Sequence, residues 1–487
     1  MKRPQVLYRE FIKLNESAPP EQLKDEELVE AYNVEYSPLR KRWGTEKHVS
    51  NALSQDPASR VIGYSRESQL LVAHGTTLEV LGGLVLEDQL ASVDFDWEVF
   101  SDGKLYLVNG DNYYEYDGTV FDEVTPADGS LDHIKRCKYI IQRGERFFAA
   151  GDPDYPNTIY FSEVGAPDNF PALNYINAVS DDDDIITGLA EFHDSMVAFK
   201  RHHIYAWFGW DPETDVRFDK INVHTGAVSH RTIHRAQNHL FYMGEDGVYA
   251  LRGLEKSYIS SASITNDVLN WRFSKRALNH SDAFAVFYDN KYILHVDMWD
   301  GVTTGMGGTP VPGDPIVLVF DIIHGAWSIW DGWEPADFEV YDGMFLYGSS
   351  AEAMVYRNQE DKNDDGEPIH FKVTTKPFDC YTPLHLKKFS WFYLLVGEED
   401  DHNEINVDIL CDYTNINIQN GDQLNTINVP GAAIMDEEVP TERSRLFYKV
   451  TRMLARSMRI QVTVKNGMVD EEITIYGIGF QFWLIKD

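Results

Sequence analysis

Three clusters in this chain carry the residue types that chemistry needs. Asp181-Asp182-Asp183-Asp184 could hold a divalent cation, although four adjacent carboxylates repel one another and better suit a solvated blade-entry loop before the run Ile185 to Leu189. Asp361-Lys362-Asn363-Asp364-Asp365-Gly366 resembles the first half of a calcium loop, with oxygens at positions 1, 3 and 5 and a glycine for the turn. The twelfth position should supply a bidentate carboxylate and is Lys372, so a linker is the plainer reading. His202-His203 and the set His224, His230, His234 and His239 invite a metal. His230 and His234 would share a helix face, but their segment reads equally as a polar strand and lacks the glutamate of a zinc-protease motif.

Nucleophilic chemistry has less support. There is no Gly-x-Ser-x-Gly elbow, no phosphate-binding glycine loop and no Cys-His constellation. Cys137, Cys380 and Cys411 are too few for a disulfide framework; Cys380 and Cys411 could meet across neighbouring strands, but reduced thiols explain the pattern equally well. The expectation is no catalytic residue, no cofactor and no metal.

The elements that must position these residues are short strands. Asp102-Gly103, Asn109-Gly110 and Asp117-Gly118 separate runs rich in aromatic and β-branched residues between Trp97 and Phe121. Such dipeptides favour tight hairpins because primed turns need positive φ. The phrase returns at Leu240 to Leu251 around Asp246-Gly247 and at Phe338 to Tyr347 around Asp342-Gly343, with looser versions around Arg143-Gly144, Arg201-His202 and Asp289-Asn290. A β-meander repeating at roughly 40–50 residues predicts an all-β chain built on a β-propeller of about six to eight blades over residues 59–358.

Residues 1–58 carry Pro19-Pro20, an acidic amphipathic stretch from Glu21 to Ala31 and few β-branched residues, which predicts an extended arm with one short helix. Beyond an acidic linker at 359–367, longer alternating runs predict a C-terminal β-sandwich: 369–378, 384–396, 405–413, 445–454, 458–464 and 473–484. The tryptophans of 207–210 and 327–333, namely Trp207, Trp210, Trp330 and Trp333, could stack on sugar rings if exposed, or pack between blades.

A formal net charge of −35 over 487 residues argues against a grip on nucleic-acid backbone, which needs Lys and Arg to displace counterions. It leaves room for a passage through which DNA slides without sticking. The basic start is not followed by a signal-length apolar run, and no stretch approaches the ~18 apolar residues of a membrane span, so no membrane partner is expected.

Four phrases carry a resemblance. They are Asn33 to Thr45 with Leu39-Arg40-Lys41-Arg42; Gly151 to Ser162 with Pro167 to Pro171; Ile185 to Leu189 with Asp194 to Tyr205; and Gly226 to Ile233 with Gly244 to Tyr249. In this order they resemble the tail-nozzle, tail tubular protein B-like and packaged-DNA-stabilising proteins of tailed bacteriophages. The resemblance implies a structural virion protein, assembled in the host cytoplasm, that forms a homo-oligomeric ring of six copies at the tail nozzle or head–tail connector. The ring would extend the DNA channel beside portal, adaptor or tail proteins and help retain or eject the genome. Arg40, Lys41 and Arg42 then read as an interface arm meeting acidic surface on a neighbouring subunit. The alternatives are a receptor- or glycan-binding tail protein and a propeller glycoside hydrolase with paired carboxylates at the channel mouth.

Overall fold

In the computed structural model, residues 5–485 are described apart from 264–280, 304–309, 398–404, 412–443, 465–471 and shorter gaps of up to six residues. The turn chemistry places the strands. Gly103, Gly110, Gly118 and Gly343 all adopt positive φ, and at 289–290 both Asp289 (45°) and Asn290 (57°) do so. Each such turn joins antiparallel neighbours, as where Leu105–Val108 pairs with Tyr113–Tyr116 in continuous register.

Six four-stranded sheets result, spanning 60–87, 96–123, 139–177, 186–221, 234–263 and 335–358. A seventh meander, at 284–330, has the same up-and-down order. The first strands of these units lie against one another around an axis, which makes the propeller. Their faces are apolar: Phe148, Met196 and Trp207 fill one seam, and Phe284, Phe338 and Phe345 another. Burying one such ring stabilises by about 1.5–3 kcal/mol.

The ends of the chain depart from expectation. The stretch expected as a helix, Glu21 to Ala31, holds only a 3-10 turn at Pro20–Gln22, followed by a strand at Glu27–Tyr32. That strand has partners on both sides. It runs antiparallel to Lys372–Thr375 and parallel to Ala326–Trp330, and it buries Leu28 and Ala31 completely. Tertiary pairing overrides a weak local helix signal.

The described residues of 1–58 pack on the body as strands rather than around a helix. Gln5–Tyr8 and Leu39–Lys41 pair with the C-terminal strand Thr474–Leu484 in a six-stranded sheet, and Glu27–Tyr32 joins a nine-stranded one. These two sheets form the expected sandwich, but both ends of the chain build it. The nine-stranded sheet also contains the 284–330 meander, so propeller and sandwich share one core that includes Leu28, Trp327, Phe392 and Phe480. Thr45–Lys47 then adds the outer strand to the last blade through Val355–Asn358, closing the ring with residues from the start of the chain.

Candidate functional site at the channel mouth

Two buried charge networks organise the molecule. The first fixes the closing strand. Arg42 is 1% exposed and donates from Nε to Asn33 Oδ1 (2.8 Å), from Nη1 to Trp43 O and Asp364 Oδ1 (3.0 and 2.9 Å), and from Nη2 to Asp331 O and Asp364 Oδ2 (2.8 and 2.6 Å). All five guanidinium donors are thereby used. Lys41 Nζ donates to Lys362 O at 3.0 Å, and Arg40 pairs with Glu35 at 2.7 Å. Gly44 lies so close that a Cβ there would stand 1.9 Å from Asn363 O.

This corrects the expectation of an interface arm. Lys41 and Arg42 do not reach out as an interface arm, because the carbonyls and carboxylates that satisfy them belong to their own chain; only Arg40 remains half-exposed. The calcium-like loop spends Asp364 on Arg42 and Asp365 on Lys47 (2.9 Å). Among the described residues no group of three or more His, Cys, Asp or Glu could hold a metal.

The second network rings the axis where the innermost strands begin. Asp337, on Pro335–Tyr341, accepts from Arg60 Nε (2.9 Å), from the Val61 main chain of the next blade (3.0 Å) and from Arg231 Nη2 (2.5 Å). Arg60 Nη1 continues to Phe95 O at 2.5 Å. Asp96, on Asp96–Val99, accepts the Ile140 N–H of its next blade (2.8 Å) and stands 3.0 Å from His230 Nε2. His230 Nδ1 accepts the Leu189 N–H at 3.3 Å, so the ring proton lies on Nε2 and faces Asp96. Ser229 donates to Ala283 O at 2.7 Å. The blades at 60–87, 96–123, 139–177, 186–221 and 335–358 and the segments leading into 234–263 and 284–330 thus contribute to one polar girdle.

The girdle contains a repeat. Asp96-Trp97-Glu98-Val99 and Asp337-Phe338-Glu339-Val340 stand at equivalent places on two innermost strands, each followed by an Asp-Gly hairpin. In both, the aspartate accepts from the second residue of the adjacent blade's first strand. Burial, reinforced by Asp96, pushes the Glu98 carboxyl up to about 7. Burial and Asp337 push Glu339 up to about 8 against the pull of Arg60. Asp337 goes the other way: burial opposes its charge, but Arg231 and Arg60 hold it below the ordinary carboxylate range. Burial lowers His234 and His295 to about 4, so both are neutral at physiological pH. Gly63 lets the second repeat approach its neighbour, since a Cβ there would lie 2.8 Å from the Tyr341 ring and 3.3 Å from Glu339 Oε1.

Above the girdle is a cavity of about 430 Å³ lined by Arg60, Asp94, Phe95, Asp96, Lys138, Tyr139, His230, Arg231 and Asp282 among others. None of these residues was singled out from sequence except His230. The Asp-x-Glu-Val repeat was the available signal, masked by the abundance of acidic residues.

Among the described residues the remaining candidates have structural places. Trp207, Trp330 and Trp333 are 0%, 1% and 5% exposed and cannot stack on a sugar ring, and Arg143 covers Trp207 at 4.7 Å. Trp210 and His224 lie outside the described residues, as do Asp181, Asp182 and Asp183. Asp184 caps a hairpin by accepting from the Arg201 and His202 main chain at 3.0 and 2.8 Å. His230 and His234 sit on a 3-10 turn and a strand rather than on one helix face. Cys380 carries a free thiol, so it does not bridge to Cys411.

No family model matches the sequence, and no curated protein matches it. Solved structures do. The PorZ component of the type-IX secretion system of Porphyromonas gingivalis aligns at 10% identity over 70% of this chain and 44% of its own, with a TM-score of 0.38. The extracellular domain of a putative hybrid two-component system from B. thetaiotaomicron aligns at 9% identity over 75% and 54%, with a TM-score of 0.44. An exo-β-1,3-galactanase from Phanerochaete chrysosporium aligns at 10% identity over 70% and 95%, with a TM-score of 0.27. The chain spans about half the length of the first two. The chain is a β-propeller protein. Among the described residues, no helix of this propeller is long and apolar enough to cross a membrane.

Proposed function

We propose that this propeller is a non-catalytic structural component of a bacteriophage virion, forming a ring at the tail nozzle or head–tail connector. The supporting observation is where the four phrases that resemble nozzle proteins fall in the fold. The first supplies Asn33 and Arg42 to the closing clamp, and the fourth supplies Ser229, His230 and Arg231 to the girdle. The second and third contribute Thr158–Phe161 and Ile186–Phe192 to two blades. Phrases spent on seams and closures suit a scaffold that must stay rigid while a genome passes. The charge of −35 suits a wall that offers DNA few cations to bind.

Electron microscopy of the purified protein, with immunolabelling of phage particles, tests this reading. Rings of six and tail labelling are expected; a persistent monomer absent from particles would overturn it. A propeller hydrolase is the second reading, for which Asp96 and Glu98 on one innermost strand are the candidate carboxylates, burial pushing Glu98 up to about 7. A hydrolase panel separates the two, since the structural reading expects no turnover.

A further inference from the structure

The cavity over the girdle differs from the rest of this acidic chain. Its charged lining is formally balanced, with Arg60, Lys138 and Arg231 facing Asp94, Asp96 and Asp282. A site for an anion or a cation would carry an excess of the opposite sign. Here donors and acceptors alternate without one.

The frame is also rigid. Asp96, His230, Arg60 and Ser229 are held by the cross-blade bonds already described, so a ligand would meet groups that need little reordering. Some capacity is left over. Arg231 Nε is buried without a hydrogen-bond partner among the described residues, and Lys138 Nζ lies 3.8 Å from Asp94, too far for a hydrogen bond. The half-exposed Lys138 ammonium can turn to a ligand oxygen, whereas Arg231 Nε is enclosed by protein. Between these polar groups Val93, Phe95, Tyr139 and Val228 present apolar edges. The volume of about 430 Å³ falls within the ~300–1,000 Å³ of small-molecule sites.

Balanced charge, alternating donors and acceptors and interleaved apolar edges match a molecule that carries hydroxyls on one side and C–H groups on another. We propose that the channel-mouth cavity binds a neutral polyhydroxylated ligand of one or two sugar rings, with Asp94 and Tyr139 among its contacts. This site is separate from the tryptophans expected to stack on glycans, and it stands independently of assembly into a phage tail.

Saturation-transfer NMR on the full chain tests it, with glucose, galactose, mannose, N-acetylglucosamine, lactose and maltose as probes, and inorganic phosphate, acetate and glycine as charged competitors. At least one sugar should saturate, with an affinity unchanged by added salt. Tyr139→Phe keeps the ring that packs on His230, and Asp94→Asn alters a side chain 72% exposed, so both variants should retain the parent's unfolding midpoint. Each should weaken that sugar by about 3- to 10-fold, where tenfold corresponds to about 1.4 kcal/mol. Absence of saturation by every sugar would overturn the proposal, as would displacement by phosphate, acetate or glycine at similar concentration. Unchanged affinity in both variants would do the same.

Discussion

The clamp around Arg42 and the girdle around the axis use the same device, an aspartate buried against arginine, with different degrees of completion. Arg42 has five donors and five acceptors inside the chain. The girdle joins more elements but retains an Arg231 nitrogen with no partner among the described residues, two glutamates that hold their protons near neutrality, and a cavity. A finished network can only stabilise, whereas an unfinished one can respond to protons or to a ligand.

The largest effect should come from opening the finished network. Arg42→Met would strand Asp364 among acceptors and should cost about 3–5 kcal/mol, read as a lower denaturant midpoint. If Arg42→Met left the midpoint within about 1 kcal/mol of the parent, the clamp would not be what closes the propeller.

The unfinished network should show itself through pH. Glu98 and Glu339 bind their protons more tightly folded than unfolded, so the stability they contribute is complete below about 4.5 and is lost as pH rises through about 7 and about 8. Glu98→Gln and Glu339→Gln should each be near neutral at pH 4 and stabilise by on the order of 3–5 kcal/mol at pH 9, Glu339→Gln the more, since each tenfold gain in proton affinity on folding is worth ~1.4 kcal/mol. Thermal melts across that range check this, and glutamine variants that keep the parent's pH slope would contradict it. Asp96→Asn removes the charge that reinforces burial at Glu98, and should move the loss of stability near pH 7 downward without abolishing it.

The smallest effect belongs to Lys47 and Asp365, one residue along the loop from the Arg42 pair but 40% and 39% exposed. Lys47→Ala should change stability by less than about 1 kcal/mol, and added salt should remove even that. A loss equal to that of Arg42→Met would erase the contrast between buried and exposed pairs in this loop.

Hairpins were legible because their turns are written in adjacent residues: Asp-Gly and Asn-Gly specify positive φ whatever surrounds them. The long strands at Lys387–Gly397, Ser444–Ala455 and Thr474–Leu484 were legible from alternation. The strand at Glu27–Tyr32 was not, because its stability comes from partners about 300 and 340 residues away, and an amphipathic acidic stretch viewed alone resembles a helix.

By itself, then, the sequence determined an all-β chain of repeated β-meanders, since strand period and turn chemistry are local properties. Tertiary structure decided where its charges serve. It took Arg42, which reads as a surface cation, into a pocket of five acceptors, and it aligned two Asp-x-Glu phrases some 240 residues apart on one axis. Whether an ion is buried, and against what, depends on which distant segments meet.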